Sequence, residues 1–188
     1  VGLRCRCALR RGPGRNAVDA KRLSRIGVLS ACAVAAYVFE SFIPVPVPWA
    51  RIGLSNIVVV IALFGFGFGE AMLVTLVRIV AGNLLMGMLL SPSFVMSLAG
   101  GLVSILIMDL ARRRAVPPLS VVGASVGGAV ANNAVQIYVF ALLFTGGGVP
   151  RELMGTFIVL GAAVGFVTGI LSAGLLNKVA LDRSVRVE

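Results

Sequence analysis

The sequence predicts an all-α membrane protein, a bundle of six transmembrane helices with both termini on the cytoplasmic side. Composition is the first reason: of 188 residues, 59% are hydrophobic and only 13% charged, with a mean hydropathy of +1.02, whereas a water-soluble domain carries about 25% charged residues. The second is spacing, because apolar runs of the length that crosses a hydrocarbon core, about 20 residues, follow one another along the chain. The third is charge placement. The net charge of +10 sits in short segments between apolar runs, as membrane anchors do. It does not form the basic stripe of a nucleic-acid-binding domain, so no nucleic-acid partner is expected.

Residues 1–24 read as a basic, flexible cytoplasmic tail that holds Arg4, Arg6, Arg10, Arg11, Arg15, Lys21 and Arg22. The first span follows at about 25–43. A secretory signal also pairs a basic start with an apolar stretch, but here Glu40 and a run of prolines stand where a small-residue cleavage site belongs, which predicts an uncleaved span. Breaks at charges, prolines and glycine clusters place the other five spans at about 52–68, 70–90, 94–110, 119–144 and 152–177. The transmembrane domain is thus 25–177, and 178–188 is a second cytoplasmic tail.

The connections set the orientation. With the amino terminus inside, the inner segments are the basic tail, "GFGFGE" (65–70), "ARRRAVPP" (111–118) and "NKVALDRSVRVE" (177–188). The outer segments hold Glu40 with Arg51, the uncharged "SPS" (91–93), and Arg151 with Glu152. Positive charge accumulates inside and cancels outside, as the positive-inside rule requires.

Small residues recur every four positions: Gly161, Gly165, Gly169 and Ala173 in the sixth span, Gly123, Gly127 and Ala131 in the fifth, Ala31 and Ala35 in the first. Such a stripe lets two backbones approach closely in lipid. Packing within the bundle and docking of another subunit both satisfy it. Ala31 and Ala35 are the docking candidates, since "SACAVAA" (30–36) is followed by no strongly polar residue until Glu40.

Polar residues inside the spans demand partners. An arginine at a helix centre costs about 2.5–3.5 kcal/mol on insertion scales, so Arg78 either locks the bundle through a carbonyl or carboxylate or holds a ligand in a water-filled cavity. The orientation puts Glu40, Asn83 and Gln136 in the outer halves of their spans, Arg51 at an outer mouth and Asn56 just below it. In the fifth span Asn132 and Asn133 lie four and three residues before Gln136, so at least one asparagine shares its face. Taken singly, each amide is explained as glue between helices. Their convergence on one side of the membrane predicts a substrate site of Glu40, Arg51, Asn56, Arg78, Asn83, Asn132, Asn133 and Gln136.

Pro44, Pro46 and Pro48 favour an extended, polyproline-like segment, and Trp49 suits a membrane–water boundary. Together they read as a stiff lid over that outer site. Catalytic chemistry has no carrier. The chain lacks a phosphate-binding G-x-x-x-x-G-K-[ST] loop, any histidine, and a paired-aspartate motif for magnesium diphosphate. Cys5 and Cys7 do not complete a metal site, and Cys32 reads as a small packing residue. No cofactor and no metal are expected.

From Glu40 to Tyr138 the chain resembles the family called heptaprenyl diphosphate synthase component I, also called the Gx transporter family. The resemblance is carried by "ESFIPVPVP", "RIGLSNIVVVIALFGFGFGEAMLVTLVRIVAGNLLMG", "SFVMSLAGGLVSILIMDL" and "LSVVGASVGGAVANNAVQ". The family pattern has Pro-Gly for Pro48-Trp49, Lys for Arg51, Ala for Ser55 and His-Asn for Asn132-Asn133, while Asn133 and Gln136 match. The family is in turn similar to the substrate-binding S components of energy-coupling factor (ECF) importers. That similarity implies an S-component-like six-helix fold in a bacterial cytoplasmic membrane, with surrounding lipid, a small-molecule substrate bound in the outer half, and docking through the first helix. The implied partners are a transmembrane coupling subunit and two ATPases. The family's name implies instead a non-catalytic membrane subunit beside a soluble prenyl diphosphate synthase in menaquinone formation.

Overall fold

A computed structural model describes residues 15–42, 53–114, 120–146, 148 and 151–185. The described residues form six helices: α1 Arg15–Ser41, α2 Leu54–Gly65, α3 Phe68–Leu85, α4 Pro92–Arg114, α5 Val121–Phe144 and α6 Arg151–Val185. Five are long and apolar enough to cross a membrane. The sixth, α2, has 12 residues where 17 were expected, and at about 1.5 Å per residue it is about 18 Å long, short of a hydrocarbon core.

Two glycines set that length. Gly53 precedes α2 with φ 82° and Gly67 follows it with φ 110°, left-handed conformations that interrupt a helix and that side-chain-bearing residues avoid. Burial explains how a short helix is tolerated. α2 packs on α1, α3 and α6 and touches α5, so its ends lie against protein. Val59, Val60, Ala62 and Leu63 form the core with Ala33, Ala71, Val74, Ile105 and Met108.

The chain reverses at each connection. Glu40 near the end of α1 contacts Ser55 at the start of α2. Arg25, about three turns into α1, lies over Phe66 just past the end of α2, its guanidinium carbon 5.2 Å from the ring centre. α3 then runs parallel to α1, from the Arg22–Glu70 ion pair at 3.1 Å to the Tyr37–Asn83 hydrogen bond. It stops at Leu85, five residues before its apolar run ends, because Gly87 adopts φ 67° and Met88 N–H bonds Asn83 O at 2.8 Å while Gly87 N–H bonds Leu84 O at 3.0 Å. This pair of bonds is the glycine-terminated helix stop in which orphan carbonyls are satisfied by the chain just beyond.

Glycines bring α5 and α6 together. A Cβ on Gly165 would stand 2.6 Å from the Val126 Cα and one on Gly169 2.7 Å from the Val122 Cα, so that stripe packs within the bundle. Gly127 instead faces Ile107 of α4. The outer surface is apolar: Leu73, Val77, Val80, Leu84, Leu106, Leu142, Val159, Phe166 and Val167 are exposed while Ser30, Ser55, Thr75, Arg78, Asn83, Ser104, Ser125, Thr168 and Ser172 are buried. This inversion of the soluble arrangement suits a hydrocarbon solvent, where every polar group needs an internal partner. The chain is a multi-pass membrane protein.

Candidate functional site

The site is assembled around the amino end of α2. The first N–H groups of a helix lack intrahelical acceptors and carry partial positive charge. Here Glu40, 4% exposed, supplies the acceptor from α1: its Oε1 takes the Ser55 N–H at 2.9 Å and its Oε2 takes the Ser55 hydroxyl at 3.5 Å. The same hydroxyl accepts a 2.9 Å bond from Arg78 Nη1 of α3. Three helices are therefore joined through one serine, with a carboxylate and a guanidinium on either side of it.

A cavity of about 60 Å³ adjoins this trio. Asn56, Ser97, Asn132, Asn133 and Gln136 bring uncharged polar groups to its wall, and Tyr37, Ile79, Ala129 and Val164 bring apolar surface. On α5, Gln136 Nε2 donates to Asn132 Oδ1 one turn away at 3.3 Å, and Asn133 Nδ2 donates to Phe157 O of α6 at 3.1 Å. Glycines on the flanking helices leave the amides their room: a Cβ on Gly100 would lie 2.6 Å from Asn132 Oδ1, and one on Gly161 2.9 Å from Asn133 Nδ2. The glycine spacing thus shapes the site as well as the helix contacts.

Six of the eight expected substrate residues, Glu40, Asn56, Arg78, Asn132, Asn133 and Gln136, meet at this cavity. Asn83 does not line it. Fully buried, it donates from Nδ2 to the Tyr37 hydroxyl and to Ile79 O, each at 2.7 Å, and so stands behind Tyr37. Arg51, Pro44, Pro46, Pro48 and Trp49 lie outside the described residues. Sequence reasoning missed Tyr37, Ser55 and Ser97. Tyr37 was within reach, three residues before Glu40 on the same helix face, but hydroxyls in apolar helices are too common for Ser55 or Ser97 to stand out.

The opposite end of the bundle is basic. Arg112 of α4 donates to Leu63 O in the last turn of α2 and lies over Phe64, Arg22 and Arg25 flank the α2–α3 turn, and Arg113 pairs with Asp109 at 2.8 Å. Among the described residues no group of three or more His, Cys, Asp or Glu is placed to hold a metal. Ala31 and Ala35 are exposed on an apolar groove of about 960 Å³ between α1 and α3, with Val34, Val38, Val77 and Leu85.

Residues 29–175 match the family model described as heptaprenyl diphosphate synthase component I. No curated protein and no solved structure matches the chain.

Proposed function

The chain belongs to the heptaprenyl diphosphate synthase component I family, and from that premise we propose that it is the substrate-binding membrane subunit of an ECF-type importer. The carrying observation is the cavity. A bundle whose exterior is apolar gathers a carboxylate, a guanidinium and four amides at one internal space, more polar groups than helix association alone needs when each amide contributes only about 0.6 kcal/mol. The arginines at the other end are the expected cytoplasmic anchors, so the cavity falls in the outer half of the membrane. The Pro44–Pro48 segment and Arg51 enter this reading from the sequence alone. The exposed Ala31–Ala35 face is the proposed contact with a transmembrane coupling subunit, through which two ATPases supply the energy that a chain without a nucleotide loop lacks.

The family's own name favours a second reading, a non-catalytic membrane subunit that anchors a soluble prenyl diphosphate synthase. Purification in mild detergent, with mass spectrometry of bound proteins and small molecules, separates the two. The importer reading expects ATPases and a coupling subunit, lost when Ala31 and Ala35 are both replaced by Trp. Recovery of a soluble prenyl synthase in their place, retained by the double mutant, would reverse the assignment.

A further inference from the structure

Resting on the cavity as a ligand site, we infer that its ligand is a small uncharged molecule presenting an adjacent hydrogen-bond donor and acceptor, as the edge of an amide or cyclic ureide does. Size is the first constraint. At about 60 Å³ the space holds on the order of five water-sized groups at about 10–15 Å³ each, far below the roughly 300–1,000 Å³ of pockets for drug-sized ligands. A polyprenyl chain does not enter it.

Charge is the second constraint. Among the described wall residues the ionised groups are Glu40 and Arg78, opposite in sign, and both are engaged by Ser55. A diphosphate, carrying several negative charges, would meet one guanidinium and, close beside it, one carboxylate that repels it.

The third constraint is the bonding left over on α5. With Gln136 Nε2 donating one N–H to Asn132 Oδ1, the Asn132 Nδ2 amine and the Gln136 Oε1 oxygen stay wholly unused, neither with a partner among the described residues, and Gln136 Nε2 keeps a second N–H. Rotating both amides by half a turn exchanges the atoms but again leaves one donor and one acceptor. The pair therefore offers an unused donor and an unused acceptor, what an amide edge needs, in either orientation. Asn56 and the Ser97 hydroxyl, on other walls of the cavity and likewise without a partner among the described residues, supply further uncharged groups.

Hydantoin, 1,3-dimethylhydantoin and inorganic diphosphate are the probes, added at millimolar concentration to the purified full chain in lipid nanodiscs and followed by melting temperature and titration calorimetry. Hydantoin should bind and raise the melting temperature, whereas the dimethyl compound, which has the carbonyls but no N–H, and diphosphate should not. Gln136→Leu should keep the ligand-free melting temperature and weaken hydantoin by about tenfold, the worth of one hydrogen bond. If Gln136→Leu does not fold, Gln136→Met, which keeps the side chain's length without an amide donor or acceptor, makes the same comparison. Equal binding of hydantoin and its dimethyl form, Gln136-dependent binding of diphosphate, or no hydantoin binding would each overturn the inference. Hydantoin failing while another small molecule co-purifies removes the ligand class but keeps the site, whereas purification without any bound small molecule removes the site itself.

Discussion

Arg78 Nη1 and the Ser55 hydroxyl stand 2.9 Å apart across the α3–α2 interface, and the backbone N–H of that serine is held by Glu40. A guanidinium and a carboxylate, each costly in hydrocarbon, are thereby placed around one hydroxyl at the amino end of α2. Arg112 meets the Leu63 carbonyl at the other end. At the amino end the carboxylate, not the guanidinium, accepts the helix N–H, and at the carboxyl end a guanidinium donates to the carbonyl, the favourable pairing with the helix dipole.

Charge coupling through Ser55 predicts non-additive mutants. Glu40→Leu or Arg78→Leu alone leaves a buried opposite charge and should cost about 3–5 kcal/mol. The double substitution should cost clearly less than the sum. Unfolding followed in mixed detergent micelles measures all three, and strict additivity would show that the two charges do not interact.

Arg78 also adjoins the cavity, which separates stability from binding. Arg78→Lys keeps the charge but offers only a point donor in place of a planar fork. If the guanidinium touches ligand, this variant should lose about 1.5–3 kcal/mol of binding, the range of a charged hydrogen bond. A lower melting temperature without ligand, at unchanged affinity, would assign Arg78 to the bundle alone.

Glycines of α6 are not equivalent. A Cβ at Gly165 meets backbone of α5 at 2.6 Å, while nothing lies within 4 Å of one at Gly155. Gly165→Ala should therefore destabilise by about 1–3 kcal/mol through overpacking. Gly155→Ala should stabilise by about 0.4–1 kcal/mol through the lost freedom of the unfolded chain. Thermal melts of the two variants decide this, and the same sign for both would contradict it.

Asn83 holds Tyr37. Gly82 leaves space for the tyrosine ring, which a Cβ there would overlap, and Asn83 Nδ2 donates to its hydroxyl at 2.7 Å. Asn83→Leu should cost about 0.5–1.5 kcal/mol by removing the hydrogen bond to the Tyr37 hydroxyl. Any change in ligand affinity should be matched by Tyr37→Phe, since Asn83 itself does not line the cavity. An affinity loss confined to Asn83→Leu would place that amide in direct contact with ligand.

Membrane sidedness is open to chemical labelling. In a background without Cys5, Cys7 and Cys32, Leu90→Cys on the exposed α3–α4 connection should react with an impermeant maleimide added outside intact cells. Ala115→Cys, beside the arginine cluster, should react only after lysis. The reverse pattern would put the cavity on the cytoplasmic side.

The sequence by itself determined the membrane class, the order of the six helices and most of the cavity's polar residues. These are written in local quantities: apolar run length, charge position, and amides three or four residues apart on one helix face. It also gave the spacing of Gly161, Gly165 and Gly169, because close backbone approach requires a period that any reader of the chain can count. Only the tertiary structure decided that α2 is short, that Ser55 joins Glu40 to Arg78, and that Asn83 faces Tyr37 in place of the cavity. The first depends on the backbone that Gly53 and Gly67 adopt, and the other two on which side of a helix meets which neighbour. Successive side chains on a helix are turned by about 100°, so a shift of one residue moves Asn83 to another face, and in an apolar chain nothing local marks one side as core and the other as lipid.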